Sequence, residues 1–168
     1  MGWIISPIGL LFNFVGLPHN THLEKPDAFI KQDPHLNQLN KQALVHRSQL
    51  LDQIPRYISG IYTLRGGRQT GKTTLLKQWT AELLESRVPP KAIAYMTGEL
   101  VDDDHSLIRL ITDLLTEMPD KDLKFIFLDE VTYIRDWDKA VKLCGTSCVH
   151  GCHLRSGCFA GGQINGIA

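Results

Sequence analysis

One short segment near the middle of the chain, residues 66–73, constrains the fold more than any other feature. It reads Gly-Gly-Arg-Gln-Thr-Gly-Lys-Thr and matches the pattern G-x-x-x-x-G-K-[ST] at every fixed position. Glycines let the backbone curl so that successive N–H groups point inward at an anion, and a helix that follows adds its N-terminal dipole. The segment therefore predicts a phosphate-binding loop between a strand and a helix.

The residues of this loop are the candidates for binding the phosphates of a nucleotide. They are Gly66, Gly67, Arg68, Gln69, Thr70, Gly71, Lys72, Thr73 and Thr74. Lys72 is expected to reach the β- and γ-phosphates and to serve catalysis, and the Thr73 hydroxyl is a candidate ligand of Mg²⁺. An apolar stretch precedes the loop and an amphipathic one follows it, which disfavours a chance glycine-rich turn.

A second candidate site lies where an apolar run, 125–128, ends in Asp129 and Glu130. Side chains at the carboxyl end of a parallel strand face the ligand crevice. Asp129 is then placed to hold Mg²⁺, directly or through water, and Glu130 to orient and polarise a water molecule against the γ-phosphate. Such runs are common by themselves, but together with the phosphate loop this one predicts hydrolysis by water rather than transfer to a small acceptor.

Strand and helix patterns alternate along the chain. Apolar spacing predicts helices over 34–54, 72–87, from 105 to about 115, and over 136–143, and strands over 60–64, 92–96 and 125–128. This alternation predicts an α/β domain with a largely parallel sheet. The carboxylates of Asp102, Asp103 and Asp104 are interpreted as helix-capping groups rather than as a cation site.

Length and charge limit the classes of function. The chain has 168 residues, which suits a single domain, with 18 basic and 18 acidic side chains. Balanced charge does not favour nucleic-acid binding by bulk electrostatics or a basic membrane surface. The uncharged first 23 residues lack the basic start of a secretory signal, and their apolar run is too short to span a bilayer, so we expect the cytoplasm.

The two ends differ from the charged middle. All but one of the charged residues lie between Glu24 and Lys142, and all four cysteines lie after Leu143. The cysteine spacing does not fit the paired pattern of structural zinc sites. We expect an irregular apolar leader at 1–32, a partial ATPase core at 33–143, and an irregular or frameshifted tail at 144–168.

The motifs resemble one family. Residues 64–76 resemble the prokaryotic AAA-type ATPases that open with an LRGPRQ-type phosphate loop, with Gly67 where that family commonly has proline. Residues 127–131, followed by Trp137 and Lys142, are similar to its second motif, and 33–36 to its lead-in. The resemblance implies a P-loop three-layer αβα sandwich that binds ATP and Mg²⁺, and it alone supports the preference for adenine.

The resemblance also implies a sheet order of 5-1-4-3-2, with the fourth strand in the centre. After Leu143 we expect no apolar strand of adequate length, and no helical lid, arginine finger or second domain. A truncated or frameshifted reading would explain these departures. Three functions therefore stay open: an ATP hydrolase, a nucleotide-binding module without turnover, and a non-functional remnant. The client and the oligomeric state are open, and nucleic acid is expected only through a missing C-terminal domain.

Overall fold

A parallel sheet organises the chain in the computed structural model, which describes residues 20, 25–41, 47–54, 58, 60–119, 123–147 and 156–161. Its strands are β1 (Gly60–Leu64), β2 (Ile93–Thr97), β3 (Lys124–Asp129) and β4 (Ser156–Gly161). They lie in the order β1-β4-β3-β2, and each neighbouring pair runs parallel. The phosphate-loop strand and the acidic strand are therefore both neighbours of β4.

The helices alternate with the strands. They are α1 (Phe29–Gln32), α2 (Pro34–Asn40), α3 (Leu50–Gln53), α4 (Lys72–Glu85), α5 (Asp104–Glu117) and α6 (Trp137–Ser147). Asp33 begins α2, since its carboxylate accepts hydrogen bonds from the N–H groups of His35 and Leu36 at 3.0 and 3.2 Å. Asp103 caps α5 by accepting from the N–H of Ser106 at 2.9 Å, which confirms the capping interpretation at that residue.

Most predicted elements are present, and one predicted helix is wrong. The helix expected over 34–54 is two short helices in the described residues, α2 and α3, and its central part, 42–46, lies outside them. Apolar spacing over such a stretch does not distinguish one helix from two that meet the same core. A mixed α/β chain with a small parallel sheet is confirmed.

Alternate residues of β2 and β3 build two hydrophobic clusters. Tyr95 and Phe127 belong to a cluster with Leu76 and Trp79 of α4. The residues between them on the strands, among them Met96 and Leu128, belong to a cluster with apolar residues of α5 and α6. All six residues of β3 are buried, as expected for a strand covered on both faces.

The expectation that no strand follows Leu143 is wrong, because backbone 156–161 forms β4. This strand pairs on both sides: Cys158 lies opposite Ile61 of β1 and Ile126 of β3. A glycine-rich segment lacks the apolar pattern on which strand prediction depends, yet its backbone N–H and C=O groups can still form ladders with two neighbours. The order of these strands matches the central part of the order that the resemblance implies. The leader residues 1–19, and 148–155 and 162–168 of the tail, lie outside the described residues.

Helix lengths bear on membrane insertion. Within the ranges that the structure describes, no helix is both long enough and apolar enough to cross a bilayer.

Candidate functional site

The loop between β1 and α4 holds the predicted phosphate-binding residues at the carboxyl end of the sheet. Gly71 has a φ of 83°, in the left-handed region that glycine adopts without strain, and α4 begins at the next residue. Gln69 also has a positive φ, of 60°. The Thr70 hydroxyl donates to the carbonyl of Gly67 at 2.9 Å. These angles and this bond give the loop its curved shape.

Lys72 lies across the loop rather than away from it. Its ammonium Nζ donates to the carbonyl oxygens of Gly66 and Gly67 at 3.2 and 2.8 Å. The positive charge is therefore held at the mouth of the loop. A phosphate bound there would replace these carbonyls as the partner of Nζ.

Thr73 and Asp129 meet across the sheet end, although 56 residues separate them in the chain. The Thr73 hydroxyl donates to Asp129 Oδ2 at 2.7 Å. Asp129 is buried at the last position of β3, and its Oδ1 accepts from the N–H of Glu130 at 3.0 Å. The two predicted metal-binding residues are thus in contact, as their positions after neighbouring strands suggested.

Tyr95 is a site residue that the sequence analysis did not identify. Its hydroxyl donates to Asp129 Oδ2 at 2.7 Å, so that oxygen accepts from two hydroxyl groups. Burial, and then the charge of Asp129, raises the pKa of Tyr95 well above its ordinary value of 10.0, which keeps the hydroxyl a donor. The sequence signal was weak: a tyrosine at a fully covered position of a strand, where its hydroxyl requires a partner.

A buried ion pair lies behind Tyr95. The Lys77 ammonium is 3.0 Å from Asp33 Oδ2, with both side chains almost fully buried, and it is 4.1 Å from the centroid of the Tyr95 ring. Burial lowers the pKa of Lys77, and Asp33 opposes that change. Lys77 lies one helical turn after Thr73, so a lysine on the apolar face of α4 was the signal available in the sequence.

Glu130 leaves the strand in a strained conformation. Its φ and ψ are 50° and 37°, in the left-handed region that side chains other than glycine seldom adopt. Its side chain is exposed, and a short turn, Val131–Tyr133, follows it. Glu130 therefore lies beside Asp129 at the sheet end, open to solvent.

A cavity of about 630 Å³ opens beside the loop. Six of the predicted phosphate-binding residues line it, together with residues before β1 and residues of α4. The lining residues are Leu39, Ser48, Leu50, Leu64, Arg65, Gly66, Gln69, Thr70, Gly71, Lys72, Thr74, Leu75 and Gln78. Gly67, Arg68 and Thr73 are not among them. Its volume is in the range of small-molecule pockets.

Arg47 ties one wall of this cavity to α4. Its guanidinium contacts Asp52 of α3 at 2.9 Å and Glu82 of α4 at 2.8 Å, and these two carboxylates raise its pKa. The segment that carries Ser48 and Leu50 is thereby held against the helix that follows the loop.

The donors at the sheet end suit a hard cation. Mg²⁺ prefers oxygen ligands and is commonly bound through one or two protein groups plus phosphates and water, which fits one hydroxyl and one carboxylate in contact. In the described residues there is no group of three or more His, Cys, Asp or Glu side chains that could hold a metal. Cys144 is a free, buried thiol in the cluster beneath α5 and α6, and the other cysteine side chains lie outside the described part.

Comparison with known proteins adds one match. The AAA_14 family model, described as an AAA domain, matches residues 59–148, which is more than half of the chain. The match includes β1, the phosphate loop, α4, β2, α5, β3 and α6. The comparisons with curated proteins and with solved structures returned no match.

Proposed function

Because the chain belongs to the family of AAA domains, we propose that it binds ATP and hydrolyses it with the aid of Mg²⁺. The observation that carries this proposal is the 2.7 Å hydrogen bond from Thr73 to Asp129. It joins the first turn after a glycine-rich loop to a carboxylate at the end of the acidic strand. A glycine-rich turn with only a structural role would not require a buried carboxylate at that point.

The phosphates would lie in the loop. Backbone N–H groups of residues 66–71 and the N-terminal end of α4 attract an anion. Lys72 Nζ, now 2.8 Å from the Gly67 carbonyl, would turn to the β- and γ-phosphates. Thr74, which lines the cavity, supplies a hydroxyl close to the α-phosphate.

The nucleoside would occupy the cavity beside the loop. Leu39, Leu50 and Leu75 offer apolar surface for the base, and Ser48 and Gln78 offer hydrogen-bonding groups. A pocket of this kind, mostly apolar with a few polar groups, is typical of small-ligand sites. The identity of the base as adenine rests on the family resemblance.

Thr73 and Asp129 would hold Mg²⁺. When bound, the ion supplies positive charge that stabilises the β- and γ-phosphate oxygens. Glu130, next in the chain, is the group with which we associate the attacking water: its carboxylate would orient the water and take up its proton. The exposed position of Glu130 leaves room for a water molecule beside it.

Further features belong to the same proposal. Helices against both faces of β2 and β3 support a three-layer αβα sandwich. The cytoplasmic location, and a nucleic-acid client reached through a further C-terminal domain, remain predictions from the sequence.

Nucleotide binding without turnover is the second candidate. One observation favours it: neither Asp129 nor Glu130 lines the 630 Å³ cavity. In that case ATP would bind in the loop and cavity while Glu130 stays too far from the γ-phosphate to act on water.

Replacing Lys72 tests the binding site. We expect Lys72→Ala to weaken ATP affinity by about tenfold to a hundredfold, because a charged hydrogen-bond donor contributes about 1.5–3 kcal/mol. The measurement is a titration with a fluorescent ATP analogue, with Lys91→Ala, an exposed lysine outside the cavity lining, as the control. Equal affinity in Lys72→Ala and the unchanged protein would contradict the phosphate-loop assignment.

Replacing Glu130 separates hydrolysis from binding. We expect Glu130→Gln to bind ATP normally and to release phosphate about 10²–10⁴-fold more slowly, since a general base contributes that much. Phosphate release is the measurement, and Glu117→Gln at the end of α5 is the control. An unchanged protein that binds ATP and releases no phosphate would support the second candidate instead.

A further inference from the structure

Tyr95, in the middle of β2, is held at three separate points. Its backbone N–H donates to Asn20 Oδ1 at 3.0 Å, and its carbonyl accepts from Asn20 Nδ2 at 2.8 Å. The Lys77 ammonium lies over its ring, and its hydroxyl donates to Asp129. Filling a place in the core requires none of these three polar contacts, so their combination indicates a side chain whose position matters.

The hydroxyl of Tyr95 acts on the orientation of the Asp129 carboxylate. Oδ2 accepts from both Tyr95 and Thr73 at 2.7 Å, and Oδ1 accepts from the N–H of Glu130 at 3.0 Å. Donors on both oxygens fix rotation about the bond that joins the carboxylate to Cβ. Tyr95 is the donor among them that is neither a proposed phosphate-binding residue nor a neighbour of Asp129 in the chain.

The position of the Tyr95 ring depends in turn on a second buried charge pair. Lys77 is held by Asp33 at 3.0 Å and also lies 5.6 Å from the ring centroid of Phe29. A cation over an aromatic face is attracted by the ring, and more strongly where water is excluded. Asp33 also caps α2, so the segment before β1 is connected through Lys77 and Tyr95 to Asp129.

We propose that Tyr95 is a positioning residue for Mg²⁺: its hydroxyl orients the Asp129 carboxylate, and the Lys77–Asp33 pair orients the Tyr95 ring. This inference rests on the proposed function, since it takes Asp129 to serve the metal. A residue that only stabilises the core would affect unfolding and leave the dependence of nucleotide binding on Mg²⁺ unchanged.

The test replaces Tyr95 by phenylalanine, which keeps the ring and removes the hydroxyl. We expect the Mg²⁺ concentration that half-saturates nucleotide binding to rise about tenfold, because groups that orient a metal ligand typically contribute 10–100-fold to metal affinity. Affinity for the fluorescent ATP analogue in excess EDTA should stay the same. Binding is read directly from fluorescence, so the result does not depend on turnover.

Tyr62→Phe is the matched control, since it removes a strand tyrosine hydroxyl that donates to the Ile58 carbonyl at 3.0 Å, away from Asp129. Its Mg²⁺ dependence should match that of the unchanged protein. An unchanged Mg²⁺ requirement in Tyr95→Phe overturns the inference and leaves the proposed function standing. An unchanged protein whose nucleotide binding ignores Mg²⁺, or is absent, overturns both.

A second measurement decides the matter if Tyr95→Phe does not fold. The protein is labelled with 3-fluorotyrosine, and the other tyrosines, Tyr57, Tyr62 and Tyr133, are replaced by phenylalanine so that one ¹⁹F resonance reports Tyr95. At a saturating concentration of ATP analogue, we expect this resonance to shift as Mg²⁺ is added. A resonance that stays in place while Mg²⁺ binds overturns the inference.

Discussion

Four side chains in the described residues adopt positive φ angles without being glycine. They are Gln69, Arg87, Glu130 and Asp136, at 60°, 64°, 50° and 56°. Such conformations cost of order 1–3 kcal/mol each and persist only where the surroundings enforce them. Gln69 and Glu130 lie in the candidate site, whereas Arg87 follows α4 and Asp136 precedes α6. The strain thus has a different meaning at the site and at the helix ends.

Gly98 enforces the conformation of Glu130. A Cβ atom on Gly98 would lie 2.5 Å from the Glu130 carbonyl oxygen, closer than real contacts allow. We expect Gly98→Ala to displace Glu130 and to slow phosphate release about tenfold or more, since small misplacements of reacting groups have large effects on rate. ATP affinity should change little, because the loop is not touched.

Gly60→Ala is the control for this prediction, since a Cβ there would meet only ordinary contacts of 3.5 Å or more. Phosphate release and ATP-analogue titration are measured on both variants. If Gly98→Ala hydrolyses ATP as fast as Gly60→Ala, then the close approach of Gly98 does not govern Glu130.

Arg87 occupies the position where helices usually end in glycine. The N–H groups of Arg87 and Val88 bond the carbonyls of Leu84 and Leu83 at 3.0 Å each, the arrangement of a Schellman cap. We expect Arg87→Gly to raise the free energy of unfolding by about 1 kcal/mol, since it relieves the left-handed strain of an L-residue. Urea unfolding measures this. Arg87→Ala, which keeps Cβ, should bring no such gain; an equal gain would assign the effect to the arginine side chain.

At the scale of the elements, α5 illustrates how a cap couples to pH. Hydrogen bonds from Ser106 lower the pKa of Asp103 below its ordinary 3.8. The folded state therefore binds fewer protons than the unfolded state in this range. The contribution of this carboxylate is present in full above pH 3.8 and is lost as pH falls through its lower folded pKa.

Asp103→Asn keeps a capping oxygen and removes the titration. We expect its melting temperature at pH 7 to lie slightly below that of the unchanged protein, and the difference to shrink as pH falls below about 3.8. Thermal unfolding followed by circular dichroism across pH 2.5–7 measures this, with Asp102→Asn as control. A difference that stays constant over this range would contradict the assignment of Asp103 as the charged cap.

At the scale of the whole molecule, β4 joins the two halves of the candidate site. β1, which leads into the loop, is bonded to β4, and β4 is bonded to β3, which carries Asp129. The contact between Thr73 and Asp129 spans this central strand. The geometry on which the proposed chemistry depends is therefore a property of the sheet rather than of either motif.

Proline within β4 tests this dependence. Cys158→Pro removes a backbone donor at a residue opposite Ile61 and Ile126, and we expect a loss of at least about 3 kcal/mol in the free energy of unfolding. Cys158→Ser keeps the backbone donor and is the control. Urea unfolding with both variants decides: equal midpoints would show that 156–161 is not part of the sheet and would favour the frameshifted tail.

Local patterns decided most of what was predicted correctly. The strands at β1 and β3, the loop, α4 and the capping of α5 each depend on a few adjacent residues whose spacing, charge or apolar run is visible in the chain. Tyr95, Lys77 and Asp33 could not be assigned to the site in this way, because their contacts join segments far apart in sequence.

The sequence by itself determined which residues can bind phosphate and magnesium, since glycines, Lys72, Thr73, Asp129 and Glu130 carry that chemistry wherever they are placed. Only the tertiary structure decided that Thr73 and Asp129 meet, that Tyr95 shares their hydrogen-bonded oxygen, and that glycine-rich 156–161 fills the centre of the sheet. The physical reason is the same in each case. Long-range hydrogen bonds and backbone ladders form between segments that the fold brings together, and the identity of a side chain does not reveal its distant partner.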